Sequence, residues 1–223
     1  MNLSPLYAIL NLGSVENPYE YGCKLLDQSS SATLKYVQIR SKAALPDQDL
    51  FDFCQRLISY RQSKPELQDA KIIINDRVDI ALAAHADGVH LGQDDLPEEI
   101  ARKLLGPGKI IGLSTHTNKQ VTKACLTAID YLALGPIFRS ATKQGHAEIV
   151  GLETLKEICQ RTSLPVVAIG GINATNAKTV YAAGAASVAV VSDLYENRET
   201  LHTLLGNYQL AFGNPKSIGG SSR

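Results

Sequence analysis

Short apolar runs alternate along this chain with longer stretches in which apolar residues recur every third or fourth position. The short runs read as strands at 6–10, 34–39, 71–74, 88–91, 109–113, 131–134, 165–169 and 187–191. Ile72-Ile73-Ile74 is typical, a β-branched run suited to a strand buried on both faces. The longer stretches read as helices at 17–28, 46–62, 98–105, 118–128, 152–160, 174–183 and 199–206, with a shorter one around 81–84. In the second of these, Leu50, Phe53, Cys54, Leu57 and Ile58 form one apolar stripe. Strands alternating with helices predict an α/β protein with a parallel sheet. Eight repeats in a chain of 223 residues predict a closed (β/α)8 TIM barrel, a doubly wound open sheet being the competing arrangement. The barrel is expected to fill residues 1–206 as one domain. The Gly/Ser-rich segment 207–223 is expected to be a disordered tail.

In a parallel barrel every strand ends on the same face, and the polar residues of this chain gather at those ends. The third strand ends on Asn75-Asp76 and the fourth runs into Gly92-Gln93-Asp94-Asp95. Carboxylates at Asp76 and Asp95, on neighbouring strands, suit Mg²⁺, which takes oxygen ligands and bridges carboxylates to substrate phosphates. Taken singly, each aspartate could instead cap the helix that follows it. Strand alternation puts Gln38, Arg40 and Lys42 on one side, either as an anion clamp or as a solvated strand end. Gly170-Gly171 after strand seven and Val191-Ser192 after strand eight fall where such barrels bind phosphate through backbone N–H groups. The loop at 139–146 is too long and too rich in hydroxyls for a plain connector. The residues alone therefore predict an enzyme with two anion sites, one of them metal-assisted.

Composition narrows the partners. Basic and acidic residues balance at 22 each, which gives no support for nucleic acid or a membrane surface. No apolar run reaches membrane-spanning length, and the N-terminus lacks the pattern of a signal peptide. Cys23, Cys54, Cys125 and Cys159 are scattered, as expected of reduced thiols in a cytoplasmic protein. The expected partners are small molecules, with a homo-oligomer left open.

Taken in order, Gln38-Ile39-Arg40-Ser41-Lys42, Ile74-Asn75-Asp76-Arg77, His90-Leu91-Gly92-Gln93-Asp94-Asp95-Leu96, Gly112-Leu113-Ser114-Thr115-His116, Gly135-Pro136-Ile137-Phe138, Thr142-Lys143 and Ala168-Ile169-Gly170-Gly171-Ile172 resemble the thiamine phosphate synthase family. The resemblance runs from about residue 6 to about residue 205. It implies a transferase of thiamine biosynthesis. The reaction joins 4-amino-2-methyl-5-hydroxymethylpyrimidine diphosphate to 4-methyl-5-(2-phosphoethyl)thiazole through a pyrimidine-methyl cation and releases diphosphate. By resemblance, Gln38, Ile39, Arg40, Ser41, Lys42, Asn75, Ser114 and Lys143 hold the pyrimidine diphosphate. Arg40, Ser114 and Lys143 are the catalytic groups among them. Asp76 and Asp95 hold Mg²⁺, and Ser140, Ala141, Thr142, Gly171, Val191 and Ser192 hold the thiazole phosphate.

Two departures stand out. The family loop often reads Thr-x-Thr-Lys where this chain has Ser140-Ala141-Thr142-Lys143, and Ile149-Val150-Gly151 lacks a proline common before that glycine. Such chemistry needs no protein nucleophile, and none is evident, since Ser114 has no obvious His–Asp partnership. Related thiazole tautomerases share the barrel without the full diphosphate set. A non-catalytic phosphate-binding barrel would not need both aspartates. Among the histidines, His85 and His202 read as structural and His90 as a packed barrel residue. His116 and His146 are candidates to touch substrate.

Overall fold

The computed structural model describes residues 3–42, 45–139, 148–196 and 200–213. Eight parallel strands close into a barrel in chain order: β1 (Leu6–Asn11), β2 (Leu34–Arg40), β3 (Lys71–Asn75), β4 (Gly88–Leu91), β5 (Ile110–Thr115), β6 (Tyr131–Leu134), β7 (Val166–Ile169) and β8 (Ser187–Val190). The seam is β1 against β8, with Leu6 opposite Val188 and Ala8 opposite Val190. The helices are α1 (Pro18–Asp27), α2 (Asp47–Gln62), α3 (Val78–Ala83), α4 (Glu98–Leu105), α5 (Asn118–Ala124), α6 (Gly151–Arg161), α7 (Ala177–Ala182), α8 (Ser192–Glu196) and α9 (Leu201–Phe212). The expected (β/α)8 class holds, and the open sheet is excluded by the β1–β8 pairing.

Strand alternation divides the interior into two layers. One face of each strand, including Leu10, Val37, Ile39, Ile72, Ile74, Val89 and Leu132, packs outward against the helices. The other face fills the barrel with Tyr7, Ile9, Tyr36, Ile73, Tyr131, Val167 and Ala189. Tyr131 fits because position 112 carries no side chain. A Cβ on Gly112 would lie 2.0 Å from the Tyr131 ring.

The amino-terminal end of the barrel is fastened by two partly buried ion pairs of the same design. Asp87, just before β4, accepts a hydrogen bond from the Ile72 amide at 2.8 Å and pairs with Arg61 of α2. Asp130, just before β6, accepts from the Ile111 amide at 2.7 Å and pairs with Arg102 of α4 at 2.7 Å. Arg61 also donates to the Ala70 carbonyl and Arg102 to that of Ala128, although Arg61 Nε is buried without a partner among the described residues.

Several boundaries differ from those the sequence pattern predicts, among them the starts of α3, at Val78 rather than 81, and α7, at Ala177 rather than 174. Helix α5 stops at Ala124 rather than 128, because the Thr127 hydroxyl bonds the Ala124 carbonyl at 2.8 Å and competes with further helix. Strand β5 continues through Ser114 and Thr115, whose buried hydroxyl finds the Ala133 carbonyl at 3.0 Å. The expected domain limit at 206 is too early. Helix α9 runs to Phe212, held by a fully buried Tyr208 whose hydroxyl donates to Asp193 at 2.6 Å. The rest of the expected tail, 214–223, lies outside the described residues. The short α8 has no counterpart in the sequence pattern. All four cysteines are free thiols.

Gly112→Ala should test the inner layer. The added methyl overlaps the Tyr131 ring in a closed interior, where overpacking costs about 1–3 kcal/mol. For a domain of this size that corresponds to a fall of roughly 2–12 °C in the unfolding midpoint. An unchanged midpoint in calorimetry would show that the ring can move aside.

Candidate functional site

At the carboxyl ends of the strands lies an open cavity of about 1290 Å³. The inward positions at each strand end supply its walls. Strand β2 contributes Gln38, Arg40 and, just beyond its end, Lys42; β3 contributes Asn75 and then Asp76; β5 contributes Ser114. Asp95 enters from the loop after β4, and Gly171, Val191 and Ser192 lie across the cavity after β7 and β8. The alternation predicted for β2 is therefore correct on its polar side. Ile39 is different, since its side chain packs in the helix-facing layer and is 1% exposed. Ser41 alternates with the lining residues and is not among the residues that line the cavity. Either could meet a ligand there through its backbone. Ser140, Ala141, Thr142, Lys143 and His146 lie outside the described residues.

Neither aspartate caps a helix. The N-cap of α3 is Arg77 and that of α4 is Pro97, each without a side-chain capping bond. Asp76 instead sits at φ 63, with the Arg77 amide bonding back to the Asn75 carbonyl at 2.7 Å. That is a γ-turn with positive φ, a rare and strained conformation. Its amide is held by the His90 carbonyl at 2.8 Å, so β4 fixes where the turn points. Asp95 folds back to accept from the Gly92 amide at 2.6 Å. Asp95 lies close enough to Asp76 for the two carboxyl groups to influence each other. Burial pushes the Asp76 carboxyl up to about 6, the neighbouring Asp95 adds to the rise, and Arg40 opposes it. Burial likewise lowers the Arg40 guanidinium from its usual range, with Asp76 pulling it back. Arg77, beside the turn, pairs with Asp47 at the start of α2 and Asp79 in α3, tying the loops after β2 and β3 together.

Ser114 has a partner that sequence reasoning missed. Its hydroxyl lies 2.8 Å from His90 Nε2, and His90 Nδ1 lies 2.9 Å from the Tyr131 hydroxyl. Tyr131 meets the Tyr7 hydroxyl at 2.8 Å, and Gln38 Nε2 donates to Tyr7 at 3.2 Å. His90 is thus a packed barrel residue, as its place in the strand predicts, but it also belongs to a polar chain that crosses the interior. Burial pushes its imidazole down to about 4. Tyr7 and Tyr131 look like ordinary core in the sequence. The available signal was a hydroxyl on an inward strand position, which needs a partner. Asn11, at the end of β1, was also missed; it lines the cavity, and its Oδ1 is buried without a partner among the described residues. His116 lines the cavity too, with Nδ1 held 2.5 Å from the Gly135 carbonyl. His85 occupies the positive-φ position just after α3 and His202 is exposed on α9, so neither lies at the site.

At the far side, Gly170 and Gly171 both have positive φ, 100 and 64. A Cβ on Gly171 would stand 2.6 Å from the Arg139 carbonyl oxygen. Glycine is therefore required there by the close passage of the loop leaving β6, besides any role toward an anion.

The family model described as Thiamine monophosphate synthase matches residues 6–194. The chain belongs to that family. A thiamine-phosphate synthase of Persephonella marina is 39% identical over 214 residues, covering 93% of this chain and 98% of the relative. One of Clostridium novyi is 42% identical over 161 residues, covering 72% and 76%. The solved thiamine phosphate pyrophosphorylase from Pyrococcus furiosus superposes with a TM-score of 0.78 at 31% identity, over 93% of this chain and 95% of that one.

The donor set of this thiamine monophosphate synthase family member fits a hard divalent cation. Both carboxylates are oxygen donors, and their mutual repulsion is what such an ion relieves. Among the described residues no group of three or more His, Cys, Asp or Glu side chains could hold a metal ion. The remaining ligands would then be water and substrate oxygens, the pattern common for Mg²⁺.

The Asp76 shift gives a test in buffer free of divalent cations. The unfolded chain releases this proton near 3.8 and the folded chain near 6. The stabilising contribution is thus complete below 3.8 and disappears as pH rises through about 6. Asparagine tolerates positive φ and carries no charge. The midpoint of Asp76→Asn relative to the parent should therefore climb between pH 4 and 6 and then level. A difference that stays flat would show that Asp76 is not strained electrostatically.

Proposed function

We propose that this protein is a thiamine phosphate synthase, joining the pyrimidine diphosphate to the thiazole phosphate with release of diphosphate. The observation that carries the reading is one cavity with two unlike ends. On one side Arg40 and Lys42 face Asn75, Asp76, Asp95 and Ser114; on the other stand Gly171, Val191 and Ser192. Cations, hydroxyl and amide groups suit a diphosphate, while glycine-opened backbone suits a second, smaller phosphate.

In this reading Gln38, Arg40, Lys42, Asn75, Ser114 and Lys143 bind the pyrimidine diphosphate, with Ile39 and Ser41 offering backbone groups. Ser140, Ala141, Thr142, Gly171, Val191 and Ser192 bind the thiazole phosphate. Asp76 and Asp95 would hold Mg²⁺, which when bound neutralises charge on the diphosphate. Arg40, Ser114 and Lys143 stabilise the negative charge that grows as the methylene carbon–oxygen bond breaks. The bonding pair leaves with diphosphate, and the thiazole nitrogen donates its lone pair to the pyrimidine methylene to form the new carbon–nitrogen bond. No protein atom becomes covalently bound. The walls hold the two reactants in line, so positioning supplies much of the rate. Small phosphorylated partners and a cytoplasmic location accompany this reading. Among the described residues no helix is long and apolar enough to cross a membrane.

The direct experiment mixes both substrates with Mg²⁺ and measures thiamine phosphate. Asp76→Ala and Asp95→Ala should each lower turnover by about a hundredfold or more, as expected for loss of a group that stabilises transition-state charge. Full turnover by both at limiting Mg²⁺ would remove the metal assignment. Lys143→Ala should lower kcat more than it weakens diphosphate-substrate binding, and should divert substrate to hydroxymethylpyrimidine. Normal kcat without added hydrolysis would reduce its loop to a connector.

A further inference from the structure

The polar chain through the barrel has a direction, and the direction reaches Ser114. Its members are Gln38, Tyr7, Tyr131, His90 and Ser114, linked by four contacts between 2.8 and 3.2 Å. Tyr7 and Tyr131 are each 1% exposed, and His90 is 7% exposed. Protons can therefore be counted along it. Gln38 presents Nε2, which has hydrogens to give and no lone pair to accept. Tyr7 thus accepts, and its one proton must go to Tyr131, its other partner among the described residues. Tyr131 has then accepted once, and its own proton must go to His90 Nδ1. A doubly protonated imidazole would point Nδ1–H at a hydroxyl that already carries a proton facing it. The ring is consequently neutral, with its single proton on Nε2.

We infer that His90 is a positioning residue: fixed as the Nε2–H tautomer by Tyr131, it donates to Ser114 Oγ and leaves the Ser114 hydroxyl proton free to point into the cavity. A serine that accepts from His90 can donate to an anionic oxygen. A serine that donated to His90 would present only lone pairs and repel that oxygen. The arrangement inverts the familiar pairing in which histidine takes a serine proton, and it suits a reaction without a protein nucleophile. Gln93 steadies the same strand end, donating to the Ser114 carbonyl at 2.6 Å. This inference rests on the proposed diphosphate role of Ser114 for its catalytic meaning, whereas the tautomer stands on geometry alone.

The test has two arms. Long-range proton–nitrogen correlation spectra of the ¹⁵N-labelled protein, with His90 assigned by its loss in His90→Gln, should show Nε2 protonated and Nδ1 bare. A protonated Nδ1, alone or with Nε2, overturns the inference whatever the protein catalyses. In the second arm Tyr131→Phe, which removes the donor to Nδ1, should lower kcat/KM for the pyrimidine diphosphate by roughly tenfold, the range for a lost hydrogen bond to a charged group. The KM for the thiazole phosphate should stay the same. In the Ser114→Ala background the Tyr131→Phe effect should vanish, because His90 then has no hydroxyl to orient. An undiminished effect there overturns the inference. If Tyr131→Phe fails to fold, the spectrum of the parent protein still decides. Absence of thiamine phosphate synthesis by the parent would instead refute the activity, and the spectrum would still decide the tautomer.

Discussion

Closure of the sheet is the constraint on which everything else here depends. Once β1 meets β8, every strand is parallel and every carboxyl end opens on one face. Alternation then decides the fate of each residue. Leu10 and Ile39 go to the helices, while Ile9, Gln38 and Arg40 go inward. An inward residue low on its strand is core. An inward residue at the last turn of its strand is part of the cavity.

That gradient along each strand explains how polar groups are admitted to a packed interior. Below, the barrel holds Leu3, Tyr36 and Ile73; above, the cavity is lined by Asn75, Ser114 and Ser192. Between them run Tyr7, Tyr131 and His90, apolar enough to pack and each able to pass a hydrogen bond upward. A buried polar group is costly unless paired, and here each pairing hands the next requirement toward solvent. The bottom of the barrel solves the same problem differently, with the Arg61–Asp87 and Arg102–Asp130 clamps that satisfy strand amides.

The fold was legible because eight apolar runs, most of them bounded by glycine or polar residues, leave few other ways to bury themselves. That Asp76, Asp95, Arg40 and Lys42 would meet at one cavity was legible because polar residues at strand ends break an apolar period, whereas Ser114 stood out only through the family resemblance. What escaped was what needs three dimensions. His90 and Ser114 are on adjacent strands, with Ser114 two residues beyond Gly112, the partner of His90, yet distant in sequence. The γ-turn at Asp76 depends on the His90 carbonyl, and no local pattern announces it. Gly112 gives no hint by itself that it makes room for Tyr131. The extension of α9 came from Tyr208 finding Asp193 across the fold.

The seam between the first and last strands is stitched by side chains from both ends of the chain. Tyr195 accepts from the Asn11 amide and donates to the Ile9 carbonyl, and Tyr21 donates to the Leu194 carbonyl. Tyr181, Ser187 and the Val188 amide all converge on the Pro5 carbonyl. The stretch from Val191 to Tyr195 is therefore held in place by residues of β1 and α1. During synthesis on a ribosome those residues emerge well before Val191 to Tyr195 do. The half of the cavity carrying Asp76 and Ser114 can take shape from neighbouring strands as they appear. The half carrying Ser192 needs β8 to have returned to β1, so the two sides of the cavity are completed at different stages of synthesis.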